Sequence, residues 1–106
     1  MAAAVTGAPG LDEAFTTMPR LKAAAFLAGC AEADFGAVTE ACELTPPTLS
    51  KAATALEAAG YLRIRKGHVG RRPRTWLSLT TRGRCAFKAH LAALAALTEQ
   101  GRAHDA

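Results

Sequence analysis

Residues 66–74 read KGHVGRRPR, and four of these nine side chains are cationic: Lys66, Arg71, Arg72 and Arg74. They sit inside a longer basic region. From Ala58 to Thr98 there are nine Lys or Arg residues and no Asp or Glu, whereas residues 1–57 hold seven acids against Arg20, Lys22 and Lys51. A net charge of +4 over 106 residues would mean little if it were evenly spread. Forty-one consecutive residues without an anion make one part of the surface attractive to a polyanion. The chemistry to expect is reversible capture of phosphates. A merely solvated basic face is the plainer meaning of most charge runs, so the elements around this one must decide.

Other chemistries find little support. The chain offers no Ser/His/Asp set in one neighbourhood, no paired carboxylates, no glycine-rich phosphate loop and no metal-spaced cluster. Neither an enzyme nor a metal or cofactor site is therefore expected. His68 reads as an exposed turn residue, and His90, Glu99, His104 and Asp105 are scattered. Cys30, Cys42 and Cys85 contain no CxxC pair and are too few for a disulfide scaffold. In alanine-rich or apolar surroundings each packs as a small hydrophobe, which suits a reducing cytoplasm. Cys85, beside Arg84 and near a helix start, is the thiol best placed to be reactive. No apolar run approaches the ~20 residues of a membrane helix. The opening MAAAVTGAPG lacks the basic start and apolar core of a signal peptide, and residues 1–10 are expected to be a disordered tail.

Stepping outward from the basic region, helix signals precede it. Leu11 to Phe15 could make one turn. Thr17 caps a helix with Pro19 in its first turn, running to about Ala28 with Leu21, Ala24, Ala25 and Ala28 on one side; Gly29 ends it. Asp34 caps a second helix, Phe35 to about Cys42, with Phe35, Val38 and Cys42 at helical spacing. Thr45 caps a third, in which Pro46 and Pro47 occupy positions whose amides have no helical partner. Its buried stripe is Leu49, Ala53 and Leu56, and Gly60 stops it. Two short helices joined by about three residues form a helix-turn-helix.

After Gly60 the period changes from 3.6 to 2. Leu62 and Ile64 oppose Arg63 and Arg65, and Leu77 and Leu79 oppose Trp76 and Ser78, which reads as a β-hairpin. KGHVGRRPR becomes its tip and return, with a connection longer than the usual two to five residues, a hint of function. Trp76 is expected to stack on Tyr61 or to cover the hairpin. Thr80 or Thr81 opens a last helix, 81–99, followed by a frayed tail, 100–106.

The order helix, helix, turn, helix, basic hairpin, long helix resembles the short bacterial winged helix-turn-helix regulators of the MarR/ArsR-like group. The likeness covers about Leu11 to Leu97 and is carried by FGAVTEACELTPPTLSKAATALEAAGYLRI and by GRRPRTWLSLTTRGR. The second stretch is similar to that group's LTxxGR pattern, with Leu79, Thr80, Gly83 and Arg84 in the matching places. The resemblance implies an α+β, mostly helical winged-helix domain over 11–99, and a non-enzymatic cytoplasmic, nucleoid-associated regulator.

Recognition chemistry follows from the residues. Small polar side chains let a helix backbone sit in the ~12 Å major groove, and the third helix presents Thr48, Ser50, Lys51 and Thr54, with Thr45 and Pro47 at its start. It has no Arg, Asn or Gln, the strongest base readers. Arg71, Arg72 and Arg74 on the wing suit a narrow minor groove, Arg63 and Arg65 on the outward face of the strand suit phosphates, and Lys66 is expected among the DNA-binding residues. A core rich in alanine is thin, and the stripe Phe87, His90, Leu91, Leu94 and Leu97, joined by Leu11 and Phe15, is expected to pair two copies. A two-fold dimer places two recognition helices about one DNA turn apart on a pseudo-palindromic site. A repressor is expected, with any small-molecule effector lying between the dimer helices and the DNA-binding units. The alternative is a winged-helix interaction module whose basic wing docks an acidic protein.

Overall fold

The computed structural model describes residues 10–105; the tail expected over residues 1–9 lies outside them, as does Ala106. A 3-10 turn, Glu13–Phe15, leads into α1 (Met18–Ala28), β1 (Ala33–Asp34), α2 (Phe35–Cys42), α3 (Pro46–Ala58), β2 (Leu62–Val69), β3 (Arg72–Leu79) and α4 (Thr81–Asp105). Each helix of the first half begins on the residue whose side chain can accept from its first turn. Thr17 accepts from the Arg20 amide, Asp34 from Ala37 and Thr45 from Thr48.

The helices enclose one core. Ala23, Ala24 and Leu27 of α1, Val38 and Cys42 of α2, Leu49, Ala53 and Leu56 of α3, Leu62, Leu77 and Leu79 of the sheet, and Phe87 of α4 close it. The buried side of α1 is rotated from the expected one: Ala23 and Leu27 replace Ala25 and Ala28, which are exposed. The near-uniform alanine of this helix hid the difference, and only Leu27 is large enough to reach the core's centre.

The sheet has three strands in the order β1-β3-β2, all antiparallel. β1 is two residues long and carries no sequence signal of its own; Ala33 pairs with Leu77 and Asp34 with Trp76. The long hairpin loop is not there. Pairing continues through Lys66–Thr75, Gly67–Arg74 and His68–Pro73 to Val69–Arg72, so only Gly70 and Arg71 connect the strands. Gly70 has φ 64, which a side chain would resist, and it stands where a two-residue hairpin turn takes glycine. Pro73 is tolerated inside β3 because β1 covers only Trp76 and Leu77, leaving that edge without a neighbour.

α4 continues to Asp105, past the expected end at Glu99 and through Gly101. An Arg102–Glu99 ion pair at 3.6 Å and a Thr98 hydroxyl donating to the Leu94 carbonyl accompany the extra turns. Its buried residues are Gly83, Phe87, His90 and Ala93; beyond Ala93 the helix stands free for ~18 Å at 1.5 Å per residue. Among the described residues no helix is long and apolar enough to cross a membrane.

Phe15, Phe87 and His90, expected at a dimer interface, belong to the chain's own core. They are 1%, 5% and 5% exposed and have almost no surface left for a partner. Phe15 is the hub: its ring stacks on Tyr61 at 5.5 Å, meets Phe87 edge-on at 5.2 Å and lies 5.3 Å from His90. The Asp12 amide donates to His90 Nδ1 at 3.0 Å, and the Tyr61 hydroxyl donates to the Asp12 carboxylate. The N-terminal turn thus lies across α4 and buries the inner half of its stripe. Leu91, Leu94 and Leu97 remain outside at 47%, 44% and 42% exposure, with Leu11 at 40%.

The TTRGR sequence joins these parts. Thr80 Oγ1 accepts from the Gly83 amide and donates to the Gly60 carbonyl, while the Thr80 amide donates to the Tyr61 carbonyl. Arg84 reaches back to the end of α1. Its Nη2 donates to the Cys30 carbonyl at 2.9 Å and its Nη1 lies at 3.4 Å from the Leu27 carbonyl, satisfying acceptors a helix end leaves open.

Candidate nucleic-acid interface

α3 is built to show one side. Leu49, Ala52, Ala53 and Leu56 face inward. At 100° per residue the opposite side holds Pro47, Lys51, Thr54 and Ala58, all exposed. Thr45 and Thr48 serve the helix start: the Thr45 hydroxyl donates to Thr48 Oγ1 at 2.8 Å and accepts from the Thr48 amide at 3.3 Å. The turn before α3 is tight because Glu43 is left-handed at φ 56, and the Leu44 amide closes on the Thr39 carbonyl at 3.0 Å.

The hairpin stands beside this side of α3. Ser50, Ala53 and Thr54 face Ile64, Lys66 and Thr75 across a cleft of about 270 Å³. Lys66 therefore looks toward α3, and His68 and Pro73 share its face of the hairpin by strand alternation. Arg71 and Arg72 lie at the tip, exposed.

The other side of the hairpin differs from expectation. The Arg65 guanidinium lies 4.2 Å from the centre of the Trp76 ring and donates from Nε and Nη2 to Glu32 at 3.0 and 2.9 Å. That two-point bond holds the Glu32 carboxyl below its ordinary range and the guanidinium above its own. Arg74 pairs with Asp34 at 3.4 Å. Trp76 does not stack on Tyr61; it covers Gly67 and Arg65. The run without anions thus receives two acids from β1 and the residues just before it, which sequence distance concealed. Arg63, Lys66, Arg71 and Arg72 have no ion-pair partner among the described residues.

Sequence reasoning passed over the opposite flank of α3. There the start of α1 brings Thr17, Pro19 and Arg20 against Thr48, Lys51 and Ala55, around a cleft of about 370 Å³. Arg20 is one of three cations in the acidic first half, and nothing short of the packing of α1 on α3 puts it beside Lys51.

Residues 20–98 match the family described as a winged helix DNA-binding domain. Among solved structures, a transcriptional regulator homologue from Pyrococcus horikoshii OT3 is similar, with 27% identity, a TM-score of 0.77, and 84% of this chain and 88% of that one covered. The PcaV transcriptional regulator from Streptomyces coelicolor, solved with its natural ligand, gives 23% identity and a TM-score of 0.70 over 88% of this chain and 64% of its own. A MarR-family regulator from Silicibacter pomeroyi gives 22% and 0.64 over 82% of this chain and 57% of its own; the likeness to these two is one of fold. No curated protein sequence matches the chain.

Proposed function

Because the chain belongs to the winged helix DNA-binding domain family, with transcriptional regulators as its structural neighbours, we propose that it is a homodimeric repressor that reads a pseudo-palindromic operator. The observation that carries this reading is the uncovered outer side of α3, small and polar with a single lysine, set beside a hairpin that turns Lys66 toward it and carries unpaired Arg71 and Arg72 at its tip. Pro47, Ser50, Lys51 and Thr54 enter the major groove, with Thr45 and Thr48 at the helix start near the backbone. Arg71 and Arg72 at the tip meet the minor groove, and Arg63 and Lys66 meet phosphates. Arg65 and Arg74 act as struts, bound to Glu32 and Asp34.

Dimerisation falls to Leu11, Leu91, Leu94 and Leu97 and to the free end of α4. Support comes from their exposure on a helix that outruns its own core. A small effector, as PcaV has its ligand, would sit between the paired helices and the DNA heads and act by changing their spacing.

Selection of random duplex DNA by the purified protein at about 150 mM salt, where specificity counts, tests the reading. Enrichment of an inverted repeat is the expected result. Binding without an enriched sequence would make the protein a non-specific DNA coater. No binding at all would favour an acidic protein partner for the wing.

A further inference from the structure

The flank of α3 that faces away from the wing holds a second basic seat. Arg20 and Lys51 line the cleft of about 370 Å³ between the start of α1 and α3, and no acid lines it with them. Arg20 Nε donates to Thr17 Oγ1 at 3.0 Å, which fixes the guanidinium against the first turn of α1. Its four remaining N–H donors have no acceptor among the described residues, and neither Arg20 nor Lys51 has an ion-pair partner there. Two unpaired cations facing one cleft are an unfavourable arrangement for a closed protein surface and a suitable one for an anion.

Duplex geometry says which anion. A helix lying in the major groove has a sugar-phosphate backbone on each side. The hairpin, with Lys66, serves one side of α3. The start of α1 is the part of the molecule that meets the other. We propose that Arg20, at the cleft it shares with Lys51, holds a backbone phosphate of the strand on the α1 side, so that α3 is gripped from both flanks. This rests on the DNA reading above and adds to it a residue outside the helix-turn-helix and the wing.

Phosphate contacts position without reading bases. The effect of Arg20→Gln should therefore be equal on operator and on random-sequence duplex. Each lost phosphate contact flattens the plot of log affinity against log salt by ~0.9 and weakens binding about fivefold at 150 mM salt. The experiment is fluorescence anisotropy of labelled duplexes across a salt series with the full chain, Arg20→Gln, Arg20→Lys and, for comparison, Lys66→Gln. The expected result is a slope reduced by ~0.9 per protomer in Arg20→Gln, an unchanged thermal midpoint, and recovery of the slope in Arg20→Lys. Wild-type affinity and slope in Arg20→Gln, alongside a loss in Lys66→Gln, overturn the proposal and leave the DNA reading standing. An equal loss in Arg20→Lys overturns it too, because the residue then acts through packing. Failure of the wild-type chain to bind any duplex removes both readings together.

Discussion

Replacing Gly83 with alanine should unfold the domain at a much lower temperature, although helix propensity says the reverse. Alanine is favoured over glycine by ~1 kcal/mol inside a helix, and Gly83 lies in the first turn of a 25-residue helix. A Cβ at this position would stand 2.1 Å from the Tyr61 carbonyl oxygen, 2.8 Å from its carbon and 2.9 Å from its Cα. These are backbone atoms that cannot rotate away, and relief requires α4 and the Tyr61 backbone to part by about 1 Å or more, since carbon contacts settle near 3.5 Å. That movement stretches the Thr80 amide bond to the Tyr61 carbonyl and the Thr80 bridge between Gly83 and Gly60. Overpacking costs ~1–3 kcal/mol, and each weakened hydrogen bond about 1 kcal/mol. A loss of ~3 kcal/mol corresponds to a fall of roughly 12–24 °C in a domain of this size. The assay is thermal unfolding by circular dichroism at one fixed protein concentration, because dimerisation would make the midpoint concentration-dependent. Gly101→Ala in the same helix is the control: a Cβ there meets nothing within 4 Å, and the midpoint should hold or rise. A midpoint for Gly83→Ala within about 4 °C of wild type, the effect of ~1 kcal/mol or less, would refute the reasoning.

Three further outcomes follow from local chemistry. Glu43 is held left-handed at φ 56, so Glu43→Gly should stabilise by ~1 kcal/mol, read as a higher denaturant midpoint with an unchanged slope; a lower midpoint would mean that the Glu43 side chain is needed in the turn. Tyr61, the chain's one tyrosine, donates to the Asp12 carboxylate, and that bond, aided by burial, raises its pKa. Below about pH 10 both folded and unfolded chains keep the phenol proton and the bond contributes fully; above it the unfolded chain ionises first, so stability falls as pH rises through the folded value. Phenolate absorbance should therefore appear later in the folded chain than in urea, and coincident titrations would contradict the contact. A thiol reagent should modify exposed Cys85 first and Cys42 last, because burial pushes the Cys42 thiol up; mass mapping of the labelled sites decides the order.

What was legible in the sequence was what the chain settles locally. Thr17, Asp34 and Thr45 marked helix starts because a cap is a bond between residues three apart. Leu62, Ile64, Leu77 and Leu79 marked the hairpin because a strand half buried must alternate. The stripe of α3 was readable because leucine separates inside from outside, while in α1 runs of alanine left the rotation open until Leu27 was seen in the core. At the wing the sequence misleads, because glycine and proline there read as interruptions. At Gly67 glycine makes room for the Trp76 ring, 3.2 Å from where a Cβ would be. At Pro73 the ring sits on a free edge. Neither fact exists before strand pairing exists.

The candidate site needed the tertiary structure for a reason specific to charge. A count of nine cations treats them as equal, yet packing gives them separate duties. Arg84 turns inward to close the end of α1. Arg65 and Arg74 are bound by acids from thirty to forty residues earlier, and Arg82 lies 5.9 Å from the Tyr61 ring. On the hairpin this leaves Arg63, Lys66, Arg71 and Arg72 free, while Arg20 and Lys51, outside the basic run altogether, come together on the far flank of α3. The acids of the first half therefore shape the wing's charge as much as its own arginines do. They pair two cations of its outer face and leave Arg63 there unpaired, with Arg71 and Arg72 at the tip and Lys66 on the side that looks toward α3. Charge composition pointed to a polyanion; which cations are left unpaired to meet one is set by Glu32, Asp34 and the packing of α1.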